Sequence, residues 1–387
     1  MRLELVIFLA VVVVAALAML LLSNGGSGSN ADRDVMIGYI APLTGPASIY
    51  GEPATKAALM AQDEINEKGG IKGRMLRLIV EDGKCDGKEA VSAAHKLIDV
   101  DKVGEILGGH CSTESLAIAP VAEQSKVIQL ASITSSPYLT EAGDYIFRNH
   151  PSSQLYISRA ADYAFDKGYK RIAALYELKE FPQGAYDVFK KQLEIRGGTA
   201  VISGVFSTDD NDLRSQLTKI NDIRPDAIFF VSQGSDKAIL FLQQMKELRM
   251  LEKYPVVGGV TLVTKDAFLR SNGLLNSNMS ATDGYSNPDD ERTKQFLIGY
   301  QKRYNEIPPT VLFYVTSSYD AVYLIKDAIS SCRDEYDTEC IKEFLYNVKN
   351  WKGAAGTLTI DKSGDAITSI GLHYFESNGT EVWKELR

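Results

Sequence analysis

The sequence holds few of the groups from which metal centres and catalytic sites are built. Its four histidines, at 95, 110, 150 and 373, show no metal-ligand spacing. There is no Gly-rich phosphate loop, no Gly-x-Ser-x-Gly elbow and no dinucleotide fingerprint. A basic excess is also missing. The formal net charge of −8 argues against a nucleic-acid partner, whose phosphates demand a positive footprint. Adjacent carboxylates such as Glu81-Asp82 and Asp289-Asp290 read as solvated strand ends or helix starts. No coherent catalytic site emerges, so no enzyme activity, cofactor or metal is expected.

What is present begins with an apolar run, Leu5 to Leu22, of 18 consecutive positions. As a helix it spans roughly 27 Å, enough to cross a hydrocarbon core. The polar linker "SNGGSGSNADRD" follows it. An uncleaved membrane tether and a removed signal peptide both fit residues 1–34, and both export the domain behind them, to the periplasm or the cell surface. Export decides how the four cysteines read, because outside the cytoplasm an even count suggests disulfides. Cys332 and Cys340 can close a small loop, and Cys85 then most simply pairs with Cys111.

Past the linker, strand-like and helix-like segments alternate. The strands read as 35–43, 74–82, 104–109 and 126–132, and Pro53 marks a helix start with Gly69-Gly70 as its stop. After "IFRNHPSS" a second series runs through 170–178, 199–206, 226–233 and 254–260. Such alternation predicts an α/β fold of two doubly wound parallel-sheet lobes joined by a hinge. The expected division gives 35–149 with about 284–365 to one lobe, and 150–283 with about 366–387 to the other.

Ligands of such folds bind at the carboxyl ends of strands, and two lobes make a cleft between them. "GGHCSTES" (108–115) falls there, at a strand end opening a helix. Ser112 either caps that helix or, with the free first-turn N–H groups, binds an anion; both readings stay open. The other possibility is that Cys111 is a nucleophile with His110 as base, in a cysteine-dependent hydrolase. Adjacent strand residues point to opposite faces, and Cys85 is available as a disulfide partner, so Cys111 reads as a half-cystine.

Segments including "IGYIAPLTGPASIYGEPATKAALMAQDEINEKGGIKGRMLRLIVEDGKCD", "GGHCSTES", "LASITSSPYLT", "TSSYDAVYLIKDAI" and "GTLTIDKSGD" resemble the type I periplasmic binding proteins. The resemblance is to the branched-chain amino-acid (Leu/Ile/Val) binding group of ABC importers. It implies a disulfide between Cys85 and Cys111, and a ligand carboxylate held by Ser112, Ser135 and the main chain at Ile133. It also implies an aromatic pocket wall at Tyr50. In the second lobe the pattern changes: the family's tyrosines fall on Phe181 and Gln233, and its ammonium-binding acid on Val260. Candidate replacements are Asp236, Asp283 and Glu180. The implied function is capture of an amino acid, or a related carboxylate or amide, by hinge closure, followed by docking on an ABC permease. A ligand-sensing receptor domain of the same fold is the alternative. The few residues before the apolar run leave no room for a signalling domain, which favours transport.

Overall fold

The computed structural model describes residues 34–376 and 378–386. The apolar run at 5–22 and linker residues 23–33 lie outside them, and among the described residues no helix is long and apolar enough to cross a membrane. Strand β1 (Val35–Ala41) is buried at nearly every position, as a central strand covered on both faces must be. It lies between β2 (Leu76–Asp82) and β3 (Glu105–Gly108); β4 (Ile128–Ala131) and β5 (Ile146–Arg148) follow. The order is β2-β1-β3-β4-β5, with every pairing parallel. Helices α1 (Ser48–Glu67), α2 (Gly87–His95) and α3 (Ser112–Ser125) make the crossovers.

Helix α1 starts at Ser48, and Pro53 lies inside it rather than at its first position. The chain has already turned at Gly45, where φ is +80°. Gly51 allows this early start: a Cβ there would lie 2.0 Å from the Pro42 carbonyl oxygen. The helix thus packs directly onto the end of β1.

The second series comprises β6 (Arg171–Glu177), β7 (Thr199–Phe206), β8 (Ala227–Val231), β9 (Val256–Gly259) and β10 (Met279–Gly284). Helices α4 (Ser153–Asp166), α5 (Glu180–Ile195), α6 (Arg214–Ile223), α7 (Ser235–Glu247) and α8 (Lys265–Arg270) alternate with them. The chain then returns to the first sheet with α9 (Glu291–Tyr304), α10 (Leu312–Ser331) and α11 (Thr338–Tyr346). Ala321, Leu324, Ile325 and Ala328 of α10 pack with Ala58, Ala61 and Ile65 of α1. The alanines among them, Ala58, Ala61, Ala321 and Ala328, let the two helices approach closely over the sheet.

A small antiparallel sheet of β11 (Trp351–Gly353), β12 (Gly356–Ile360) and β13 (Ala366–Ile367) follows. The chain then crosses back as β14 (Ile370–Phe375) and β15 (Glu381–Leu386). The second sheet runs β15-β14-β10-β9-β8-β6-β7. It is therefore mixed: β14 is antiparallel to β10 and β15 to β14, an edge the alternating pattern did not announce. The expected class of two doubly wound lobes otherwise stands, with apolar clusters on both faces of each main sheet.

Three segments carry the chain between the main sheets, after β5, after β10 and after β13. His150 in the first reaches Asp283 at the end of β10, Nε2 to Oδ1 3.3 Å, with both side chains buried. The Tyr285 N–H donates to the Ser369 carbonyl (2.9 Å), joining the second and third.

Candidate functional site

Residues just beyond the carboxyl ends of β1, β3, β4, β6, β8 and β9 converge on one cavity between the lobes. From the first lobe come Tyr50, His110, Cys111, Ser112, Ile133, Ser135 and Tyr314, with Pro42 and Ala47 at the margin. Phe181, Gln233 and Thr261 come from the second. The volume is about 40 Å³, against the roughly 10–15 Å³ that one water needs. All six residues expected to line a ligand site, Tyr50, Ser112, Ile133, Ser135, Phe181 and Gln233, meet here.

The first-lobe wall is built at the β3–α3 turn. The helix N-cap is Cys111, with extended φ −75° and ψ 145°, so Ser112 is the first helical residue and not the cap. The Ser112 hydroxyl instead accepts from the Ser136 N–H at 3.2 Å, tying two strand-end loops together. Capping falls to Glu114, whose carboxylate accepts the N–H groups of His110, Cys111 and Cys85, each at 2.9 Å. Burial pushes Glu114 up to about 7, against the pull of those three donors. The Cys85–Cys111 disulfide, with Cα atoms 5.3 Å apart, fixes the same turn, and Cys332–Cys340 forms the second bridge. Neither Cys111 nor any other described cysteine carries a free thiol, which removes the nucleophile the cysteine-dependent hydrolase would need.

His110 was expected to point away from Cys111, yet both line the cavity. The period of two ends with β3 at Gly108, so it no longer governs residues 110 and 111. The His110 ring stands edge-on to Tyr39 at 5.4 Å. Its Nε2 lies 3.4 Å from the Ser132 hydroxyl and its Nδ1 has no protein partner. Burial lowers its pKa to about 3, so the ring is neutral. Tyr50 and Tyr314 form an aromatic corner, their ring centroids 5.8 Å apart. Burial drives the Tyr50 hydroxyl up to about 12.

Across the cleft, Phe181 opens α5 and its ring tip comes close to Gly259. The Gln233 N–H donates to Glu177 (2.7 Å), while its Oε1 is shut off from solvent and unpartnered. Thr261 donates to the Ser232 carbonyl at 2.8 Å. Val260 is buried in an apolar cluster with Tyr50, Ile133 and Tyr314. Pro42, Ala47, His110, Cys111, Thr261 and Tyr314 also line the cavity and were not assigned to a ligand site from the sequence; strand-end position was the signal available for His110 and Thr261.

The three acids proposed as ammonium partners do not line the cavity. Asp236 pairs with Arg270 at 2.6 Å. Asp283 faces His150 and also accepts the Gly284 N–H at 2.8 Å. Glu180 bridges the lobes instead: it accepts the Thr113 hydroxyl, and the Ser136 hydroxyl donates to its carbonyl at 3.4 Å. The same seam continues as the Tyr138 hydroxyl donates to Asp187 at 2.5 Å, beside Gly184 and Pro137. Among the described residues no cluster of His, Cys, Asp and Glu could hold a metal.

A periplasmic binding protein family model matches residues 34–378. The Leu/Ile/Val-binding protein BraC3 of Rhizobium johnstonii is 27% identical, over 90% of this chain and 93% of its own. The solved leucine-binding protein LivK of Thermotoga maritima superposes with a TM-score of 0.82 at 25% identity, covering 90% of this chain and 97% of that one. A solute-binding protein of an ABC transporter from R. palustris, in complex with 4-hydroxybenzoate, also gives 0.82, at 22% identity over 92% and 96%. With the family match spanning nearly all the described residues, the chain belongs to the type I periplasmic binding proteins of the branched-chain amino-acid family.

Proposed function

We propose that the chain is the extracytoplasmic solute-binding component of an ABC importer, capturing an amino acid or a related small carboxylate or amide by hinge closure. Residues 35–149 with about 284–365, and 150–283 with about 366–387, are the two lobes that close. The Leu5–Leu22 segment tethers or exports them, and a membrane permease receives the closed form. One observation carries the reading: six strand ends from two lobes supply hydroxyls, aromatic faces and a helix N-terminus to a single small cavity. A helix N-terminus favours an anion, and closure follows from contacts that only both lobes together provide. The amino-acid specificities in the relatives' names, and a benzoate bound in a neighbour of like fold, agree with a small carboxylate.

The test uses the full-length chain in mild detergent, refolded to strip bound solutes, with spin labels on the two lobes. A pooled library of small solutes should shorten the interlobe distance and raise the unfolding midpoint. Saturation at 100 times Kd adds about 2.7 kcal/mol. A structural or adhesive module would show neither change, and that result would defeat the proposal.

A further inference from the structure

We propose that the cavity selects a small hydroxycarboxylate that bears no ammonium group, its anion held at the N-terminus of α3 and its uncharged hydroxyl by Gln233. This rests on the reading above that the cavity is the ligand site. The first-turn N–H groups of α3 have no acceptor within the helix. His110 lines the same cavity and is 97% shielded, and its Nδ1 lacks a protein partner. In the tautomer in which Ser132 donates to Nε2, Nδ1 carries the hydrogen and is free to donate to an anion. Across the cleft, Gln233 Oε1 is a solvent-excluded acceptor with nothing to accept from. A ligand hydroxyl supplies the missing donor. Tyr50, Tyr314, Ile133 and Phe181 give the rest of the ligand an apolar and aromatic enclosure.

An ammonium would need a carboxylate, and none lines the cavity. Every acid near it is engaged elsewhere. Glu177 accepts the Gln233 N–H and the Thr208 hydroxyl, both at 2.7 Å. Asp266 accepts the Ser235 hydroxyl at 2.6 Å and pairs with Arg270. Glu180, Asp236 and Asp283 hold the partners described above. A neutral amide oxygen or hydroxyl can accept from an ammonium but does not neutralise it, so the buried charge keeps its desolvation cost.

The experiment is calorimetric titration of the full-length chain in mild detergent with a matched pair, L-leucine and 2-hydroxy-4-methylpentanoate, and with 4-hydroxybenzoate. The pair differs only in ammonium against hydroxyl. The inference expects at least one of the two hydroxy acids to bind, and the aliphatic one to exceed leucine at least 100-fold if it is the ligand type accepted. Leucine binding as tightly as its hydroxy analogue, or alone, overturns the inference and leaves the solute-binding reading intact. Binding of none of the three overturns it too; the broader reading is then judged separately, by whether non-carboxylate solutes close the spin-labelled lobes. Gln233→Glu, checked for unchanged circular dichroism, should weaken the bound hydroxy acid at least tenfold. Unchanged affinity there overturns the assignment of the hydroxyl to Gln233.

Discussion

Gly184 offers a way to separate lobe stability from lobe closure. It sits within α5 on the second lobe, and a Cβ at this position would lie 2.5 Å from Pro137 Cδ and 2.9 Å from Cγ. Ordinary carbon–carbon contacts lie at about 3.5–4.0 Å, so the two elements must part by roughly an ångström. The proline ring is tied to the backbone and cannot swing aside as a long side chain would. Overpacking of this kind costs about 1–3 kcal/mol. The cost arises only where the lobes touch. Within the lobe itself, replacing a mid-helix glycine by alanine gains up to about 1 kcal/mol. Gly184→Ala should therefore leave the ligand-free unfolding midpoint unchanged or raised, while affinity falls between about 5-fold and 150-fold. Calorimetric titration with the best ligand found, alongside chemical denaturation without ligand, reads both quantities. Full affinity in the variant, with the interlobe distance on ligand addition also unchanged, would refute the reasoning that closure presses Gly184 against Pro137.

Glu180→Gln should weaken ligand retention roughly tenfold, about 1.5 kcal/mol for one half-exposed charge-assisted bond to Thr113; a loss confined to ammonium-bearing ligands, seen in dissociation rates, would instead place Glu180 against the ligand. The depressed His110 pKa, about 3 in the fold against 6.5, means the unfolded chain binds the extra proton between those values. Its contribution is complete above pH 6.5 and is lost as pH falls toward 3, so wild type should lose about 3 kcal/mol relative to His110→Gln between pH 7 and 4, measured by urea midpoints. Cys332 and Cys340, eight residues apart, close a loop whose release costs about 2.5 kcal/mol. The double serine variant should show that loss in denaturation with unaltered ligand affinity, because neither residue lines the cavity.

The alternation of strands and helices was legible because parallel strands covered on both faces write unbroken apolar runs, as 35–41 and 227–231 do. Strand-end position then pointed to Ser112, and the family resemblance to Ser135. What the sequence hid depends on long-range partnership. Asp236 looks free until Arg270 is folded against it, and Asp283 until His150 arrives from 133 positions away. The cap at Cys111 was missed because hydroxyl residues are the usual signal, whereas here Glu114 reaches back to satisfy the turn. Strands β14 and β15 escaped notice because their place is set by pairing with β10, a segment nearly a hundred residues earlier.

The triple passage of the chain between its sheets also sets an order of assembly. The first lobe's core includes Ile341, Leu345, Ile360 and Ala366, and the second sheet ends on residues 381–386. Neither lobe can therefore complete itself while the last tenth of the chain is still to come. During synthesis, at about 5–20 residues per second, α1 waits for α10 while some 250 intervening residues are added. Contacts of such separation close slowly. A polypeptide built in this way cannot finish either lobe until its last strands have been delivered.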